Sequence, residues 1–265
     1  MKTGVAKKEI ESALANRFGS IFEQREKRPV EILPTGVREI DALLHGFPRG
    51  AITEIHGAAS SGRTSLLLST LALAAAQEET CALIDCSDTF DPSSAAKARV
   101  DFDRLLWVRC NGNLERAFKA TDLLLHSGGF GLLALNLADV TPRYARRIIS
   151  SWWFRFRRAL ENTPTALIVI TPVPCIRSCV TLVLELMNES IVWPSTVSLV
   201  LDNHDARVTM RRGSHLSLVG DSTRQRGSYS CALTHARLLE RIRVQVNRER
   251  PIEWTGRRAK FEGVR

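Results

Sequence analysis

AITEIHGAASSGRTS, residues 51–65, joins a strand signal to a turn and then to the start of a helix. Ala51–His56 is a short apolar run rich in β-branched residues and predicts a strand. Thr64–Ala76 is apolar and free of proline, and predicts a helix. Between them, Gly57-Ala58-Ala59-Ser60-Ser61-Gly62-Arg63-Thr64-Ser65 has the form GxxxxG[K]T, with Arg63 where the lysine belongs. A glycine-containing turn in this context wraps backbone N–H groups around phosphate oxygens at a helix N-terminus. All nine residues are therefore candidates for binding a nucleotide cofactor, with the Thr64 hydroxyl placed for Mg²⁺. Arg63 departs from that pattern. A lysine delivers a compact charge between phosphates, whereas a guanidinium is wider and planar. Loss of hydrolytic activity is expected, with weakened nucleotide binding close behind.

On both sides of this stretch, strand and helix signals alternate. Cys81–Asp85 (CALID), Leu132–Leu137 (LLALNL), Ala166–Thr171 (ALIVIT) and Val197–Leu201 (VSLVL) read as strands. Leu114–His126 and Arg143–Leu160 read as amphipathic helices. Strands apolar on both faces and alternating with helices predict an α/β fold, with a mostly parallel central sheet flanked by helices. Arg207–Arg211 and Arg241–Val246 alternate more and suit edge, antiparallel strands. Residues 175–194 (CIRSCVTLVLELMNESIVWP) contain no glycine and read as partly helical. Residues 5–24, with Ile10, Leu14, Phe18 and Ile21 at helical spacing, predict a short amphipathic helix set apart by Arg25–Pro29. The domain expectation is an N-terminal helix and linker over 1–30, a core over 31–250 and a basic tail over 251–265.

The chain has 265 residues, 44% apolar and 25% charged, enough to bury one sizeable core. Its composition excludes collagen-like and disordered classes. The longest strongly apolar stretch, Leu66–Ala76, is too short to span a bilayer, and no secretory signal opens the chain. Six cysteines at 81, 86, 110, 175, 179 and 231 show no CxxC pair, which fits reduced thiols in a cytoplasm. The net charge of +9 is localised: residues 203–265 hold 14 basic against 6 acidic side chains, and the rest is nearly neutral. Arg241, Arg243, Arg248, Arg250, Arg257 and Arg258 are the candidates there for DNA or an acidic partner, against the plainer reading of a solvated strand.

The motifs together resemble the RecA recombinase family. The lead-in Leu33-Pro34-Thr35-Gly36, Ile40-Asp41-Ala42-Leu43-Leu44 and Gly46-Phe47-Pro48-Arg49-Gly50 is similar to that family's stretch before the phosphate loop. So are Cys81–Asp85, Phe90-Asp91-Pro92 and the segment Arg241-Ile242-Arg243-Val244 with Asn247–Arg250. The resemblance runs from about residue 10 to 262 and implies a RecA-like P-loop core, with ATP and Mg²⁺ as cofactors and Asp91 beside the nucleotide. It also implies DNA contact and leaves homo-oligomerisation open, since Arg248 and Arg250 match lysines that reach a neighbouring subunit's nucleotide.

Departures from the family fall on its chemistry. Ser87 stands where the resemblance implies a glutamate general base, and a hydroxyl cannot serve at neutral pH; the adjacent Asp88 is the substitute candidate. Asn136 stands where an aspartate supports Mg²⁺. Ser94 replaces an adenine-stacking tyrosine, and Thr171 or Pro172 a γ-phosphate-sensing glutamine. Both DNA-contacting loops differ, and the chain stops near the end of the core without the family's separate C-terminal domain. This set is similar to the degenerate ImuA branch. Membership there implies a DNA-damage (SOS) role, acting on RecA filaments or beside translesion polymerase subunits, with hydrolysis weak or lost. The alternative is an active DNA-dependent ATPase promoting strand exchange, with Arg63 and Asp88 in altered roles.

Other clusters read as plainer features. The Arg143–Leu160 helix carries Arg143, Arg146, Arg147, Arg155, Arg157 and Arg158 beside Trp152, Trp153, Phe154 and Phe156. A nucleic-acid surface and an ordinary amphipathic helix both fit, and the helical spacing of the aromatics favours the second. Arg212–Ser230 reads as a mobile loop. Cys175 and Cys179 have no further ligand nearby for a metal.

Overall fold

The computed structural model describes residues 31–192, 196–201, 204–210, 216–218, 241–250 and 258–264. The chain divides into two compact units, Met1–Glu31 and Ile32–Arg265. Apart from Glu31 the first lies outside the described residues, and with it the helix expected over 5–24.

In the second unit, β1 (Ile32–Leu33) and β2 (Phe47–Pro48) pair antiparallel around α1 (Arg38–Leu44). Then follow β3 (Ala51–Gly57), α2 (Arg63–Ala76), β4 (Cys81–Asp85), α3 (Pro92–Lys97), β5 (Leu105–Arg109) and α4 (Leu114–Ser127). Next come β6 (Leu132–Asn136), α5 (Pro142–Ala145), α6 (Ser150–Leu160) and β7 (Ala166–Thr171). The remaining described elements are β8 (Leu182–Val192), β9 (Thr196–Leu201), β10 (His204–Met210), β11 (Leu216–Leu218), β12 (Arg241–Arg250) and β13 (Arg258–Val264).

Eight strands form the central sheet in the order β13-β12-β8-β3-β7-β6-β4-β5. From β8 to β5 every neighbouring pair is parallel, while β12 runs antiparallel to both β8 and β13. The α/β core with a mostly parallel sheet is thus as expected. It follows from residues that are apolar on both faces of a strand. Along β4, β6 and β7, alternate side chains enter two separate cores. Leu83, Ala134 and Ile168 pack with Leu66, Leu67 and Leu71 of α2 on one side. Ile84, Leu135 and Val169 pack with Phe118 of α4 and with Trp153, Phe156 and Leu160 of α6 on the other.

Four expectations are corrected. The run over 175–194 is not partly helical: β8 occupies most of it. Leu182, Leu184 and Leu186 share one core while Val183 faces the other, a period of two that the helix-forming Leu, Glu and Met had masked. Arg143–Leu160 is two helices, not one. The chain breaks at Ile149, whose extended backbone starts α6, within the β-branched and serine-rich run Ile148–Ser151. Arg241–Val246 is no edge: β12 lies inside the sheet and β13, in the stretch expected as a tail, forms its border. Of the segment expected as a mobile loop, Leu216–Leu218 form β11, in a separate three-stranded antiparallel sheet with β10 and β9. Its other residues lie outside those described.

Candidate functional site

In a parallel sheet the strand C-termini lie along one rim, which is where such folds place their sites. Here Gly57, Thr171, Asn136 and Asp85 end β3, β7, β6 and β4, four adjacent strands. The phosphate-type loop leaves that rim from β3 and enters α2. Its two glycines are sterically required. A Cβ on Gly57 would stand 2.3 Å from the Leu186 carbonyl oxygen, and one on Gly62 would stand 2.6 Å from Val244 Cγ2. Gly62 also has φ +92°, a left-handed value that side chains resist. Ala58, Ala59, Ser60 and Thr64 are exposed, Ser65 is half-buried, and Ser61 is buried with no partner for its hydroxyl. An open backbone cradle at a helix N-terminus fits an anion.

Arg63 does not face that cradle. It is buried to 7% exposure, and its Nη1 donates to the Thr171 carbonyl at 2.6 Å. Burial draws the guanidinium below its ordinary pKa, opposed by the Asp139 carboxylate. The Thr171 hydroxyl donates in turn to Glu54 Oε1 at 3.0 Å. Glu54, wholly buried on β3, also accepts from the backbone N–H of Cys175 at 2.7 Å and of Ile176 at 3.2 Å. Desolvation raises its pKa, and these hydrogen bonds oppose the rise. One continuous network therefore ties the loop, the end of β7 and residues 172–176.

The rim at β4 and β6 is also closed on itself. Asn136 Nδ2 donates to Asp85 Oδ1 and to the Thr89 hydroxyl, both at 3.2 Å, while its Oδ1 accepts from Ala138 N–H at 3.2 Å. Asp85 is wholly buried and accepts from Phe90 N–H at 2.8 Å. Among the described residues no group of three His, Cys, Asp or Glu side chains could hold a metal. The position expected to support Mg²⁺ thus offers an amide with both ends engaged and does not fit that ion. Ser87 is half-buried, and Asp88 pairs with Arg109 of β5 at 3.4 Å. It follows β4, a strand that lies three strand spacings from β3, about 14 Å across the sheet. Asp91 caps α3, accepting from Ser93 and Ser94 N–H at 3.1 and 3.0 Å and from the Ser94 hydroxyl at 2.6 Å.

The basic candidates are dispersed. Arg241 and Arg243 lie in β12, Arg258 is exposed on β13, and Arg257 lies outside the described residues. Arg248 is buried, and Arg250 donates to the Arg177 carbonyl. Sequence reasoning missed Glu54 and the His56–Glu249 contact at 3.0 Å, which fastens β12 to β3 across β8. The signal for Glu54 was present: a lone carboxylate inside an otherwise apolar strand needs buried partners.

The family model of the RecA N-terminal domain matches residues 3–146, over half of the chain. Protein RecA of Cutibacterium acnes is 40% identical over 130 residues, covering 47% of this chain and 37% of that protein. Protein RecA of Leifsonia xyli subsp. xyli is 35% identical over 161 residues, covering 55% and 45%. Protein RecA of a Nocardioides species is 32% identical over 193 residues, covering 64% and 55%. The matches thus span between about a third and just over half of these relatives' length. On the matched N-terminal domain, with its strand, loop and helix in place, the chain belongs to the RecA family.

Proposed function

We propose that this RecA-family chain is an accessory protein of the DNA-damage response, of the ImuA type, that works through protein and DNA contacts with ATP hydrolysis weak or lost. The observation that carries the reading is the Arg63 guanidinium, held on the Thr171 carbonyl inside the protein and not presented to the loop. Residues Gly57–Ser65 would hold the phosphates of ATP through the backbone and Thr64. The chain lacks the rest of a phosphoryl-transfer site: a free cation at position 63, a general base at Ser87 and a carboxylate at Asn136. Asp88, the substitute base, faces Arg109 instead. In this reading the partners are RecA filaments and translesion polymerase subunits in the cytoplasm. DNA is met through Arg241, Arg243 and Arg258 of β12 and β13, and Arg250, exposed at the end of β12, would face a second copy if the chain assembles; Arg248 is buried and is not presented to either.

A second reading is favoured by the relatives, each called Protein RecA. It makes the chain an active DNA-dependent ATPase that promotes strand exchange. Steady-state ATP turnover with and without single-stranded DNA separates the two. The accessory reading expects no turnover above background in either condition. A DNA-stimulated rate on the order of 1 s⁻¹, ordinary for an enzyme, would sink it.

A further inference from the structure

Between Thr141 and Leu160 the chain has six arginines and no acidic residue. Arg155 is engaged: its Nε and Nη2 reach the two oxygens of Asp122 on α4 at 2.5 and 2.6 Å. Arg143, Arg146, Arg147, Arg157 and Arg158 are exposed, and their side chains pair with none of the described residues. Three large apolar side chains stand among them: Tyr144 is 61% exposed, Ile149 67% and Phe154 52%.

These are surplus to the fold. The inner side of the same segment already supplies Ala145, Trp153, Phe156 and Leu160 to the core. Phe118 of α4 holds the rings of Trp153 and Phe156 at centroid distances of 5.1 and 5.6 Å. Phe154, by contrast, shares the outer face of α6 with Arg157 and Arg158, three and four residues on. Ile149 stands at the break before α6, where the extended backbone turns it into water. Single exposed apolar residues are ordinary, but three in eleven residues, ringed by charge of one sign that is unpaired among the described residues, mark a contact surface.

We propose that the outer surface of α5 and α6 docks an acidic, amphipathic segment of a partner protein. Its carboxylates would pair with Arg143, Arg146, Arg147, Arg157 and Arg158, and its aliphatic side chains would cover Ile149 and Phe154. Charge complementarity fixes the sign of the occupant, because the stretch from Thr141 to Leu160 carries no acidic residue and five of its arginines find no partner among the described residues. Ile149 selects peptide over nucleic acid: it has no π-face to stack on a base and no group for a base edge, so a phosphate backbone would leave it in water. A helical peptide with aliphatic anchors at i, i+3, i+4 and i+7 would cover it. The proposal is independent of nucleotide binding at the loop.

The test uses the whole chain and three fluorescent probes: a helical peptide of Glu, Ala and Leu with the leucines on one face, the same peptide with Ser for Leu, and oligothymidylate. The Leu peptide should bind about tenfold more tightly than the Ser peptide. Its affinity should fall about tenfold in Ile149→Ser/Phe154→Ser and again in Arg157→Glu/Arg158→Glu. Oligothymidylate should bind the first variant as it binds the wild type. Two independent variant pairs guard against misfolding of either, checked by circular dichroism. Absence of Leu-peptide binding, or binding indifferent to both pairs, overturns the proposal. So does a loss of oligothymidylate affinity in Ile149→Ser/Phe154→Ser, which would give the surface to nucleic acid.

Discussion

Gly57 and Gly62 are held in place by their surroundings, whereas Arg63, Thr171 and Glu54 hold one another, as do Asn136 and Asp85. The glycines abut Leu186 of β8 and Val244 of β12, so the loop's shape is a packing requirement of the sheet. That shape persists whatever chemistry the loop serves. The side chains around it obey a different constraint. Each buried polar group needs a partner, and here the partners come from the protein: a carbonyl for Arg63, a carboxylate for Asn136, backbone N–H groups for Glu54. A phosphate cradle can thus be complete in outline while the groups that would act on a phosphate are turned inward.

Breaking the packed half should have the largest effect. Gly57→Ala places a Cβ against backbone, which cannot yield as a flexible side chain would, and is expected to cost about 3 kcal/mol in urea unfolding. A loss below about 1 kcal/mol would show that the loop is free to shift, and that its shape is not imposed by β8.

Glu54→Gln attacks the hydrogen-bonded half at its centre. It sets an amide among N–H donors from Cys175 and Ile176, and about 2 kcal/mol of stability should go, with faster amide exchange at Cys175 and Ile176. The pH dependence has a definite sign. A raised pKa means that the native state keeps a proton the unfolded chain releases from its ordinary value of 4.5 upward. Wild-type stability should therefore decline as pH rises through that window toward the raised folded value. The glutamine variant lacks this component, so equal slopes in the two proteins would refute the assignment.

A smaller and reversible effect belongs to Asn136→Asp. It puts a second carboxylate about where the amide now meets Asp85 at 3.2 Å. At neutral pH the like charges should lower stability by about 1–2 kcal/mol, and acid or millimolar Mg²⁺ should restore it. Thermal melts at pH 5 and 7, with and without Mg²⁺, check this. Insensitivity to both would mean that a second carboxylate is tolerated here and that the amide does not relieve charge repulsion at this part of the rim.

How much of this was legible in the sequence follows the same division. Cys81–Asp85 and Ala166–Thr171 are apolar on both faces and were bounded to the residue. The loop was legible because strand, glycines and helix are consecutive. β8 was not, because its period of two is carried by leucines and interrupted by helix formers. β5 escaped because it borders the sheet and is only partly buried. The destination of Arg63 was unreadable for a different reason: its partner lies 108 residues away, and position 63 alone says only that the cation is wide. Arg248 looked like surface charge and is buried, since β12 proved interior to the sheet. Chemistry that depends on sequence-distant partners becomes visible only once the strands are ordered.

The central claim is that Arg63 serves Thr171 and leaves the cradle without its cation. A nucleotide titration of the wild type against Arg63→Lys tests it most directly. A lysine cannot reproduce the guanidinium's hold on the carbonyl and is free to turn toward the phosphates, so ATP should bind the variant about tenfold more tightly, a gain of about 1.4 kcal/mol. Equal or weaker binding by Arg63→Lys would contradict the account, because Arg63 would then already be serving the nucleotide.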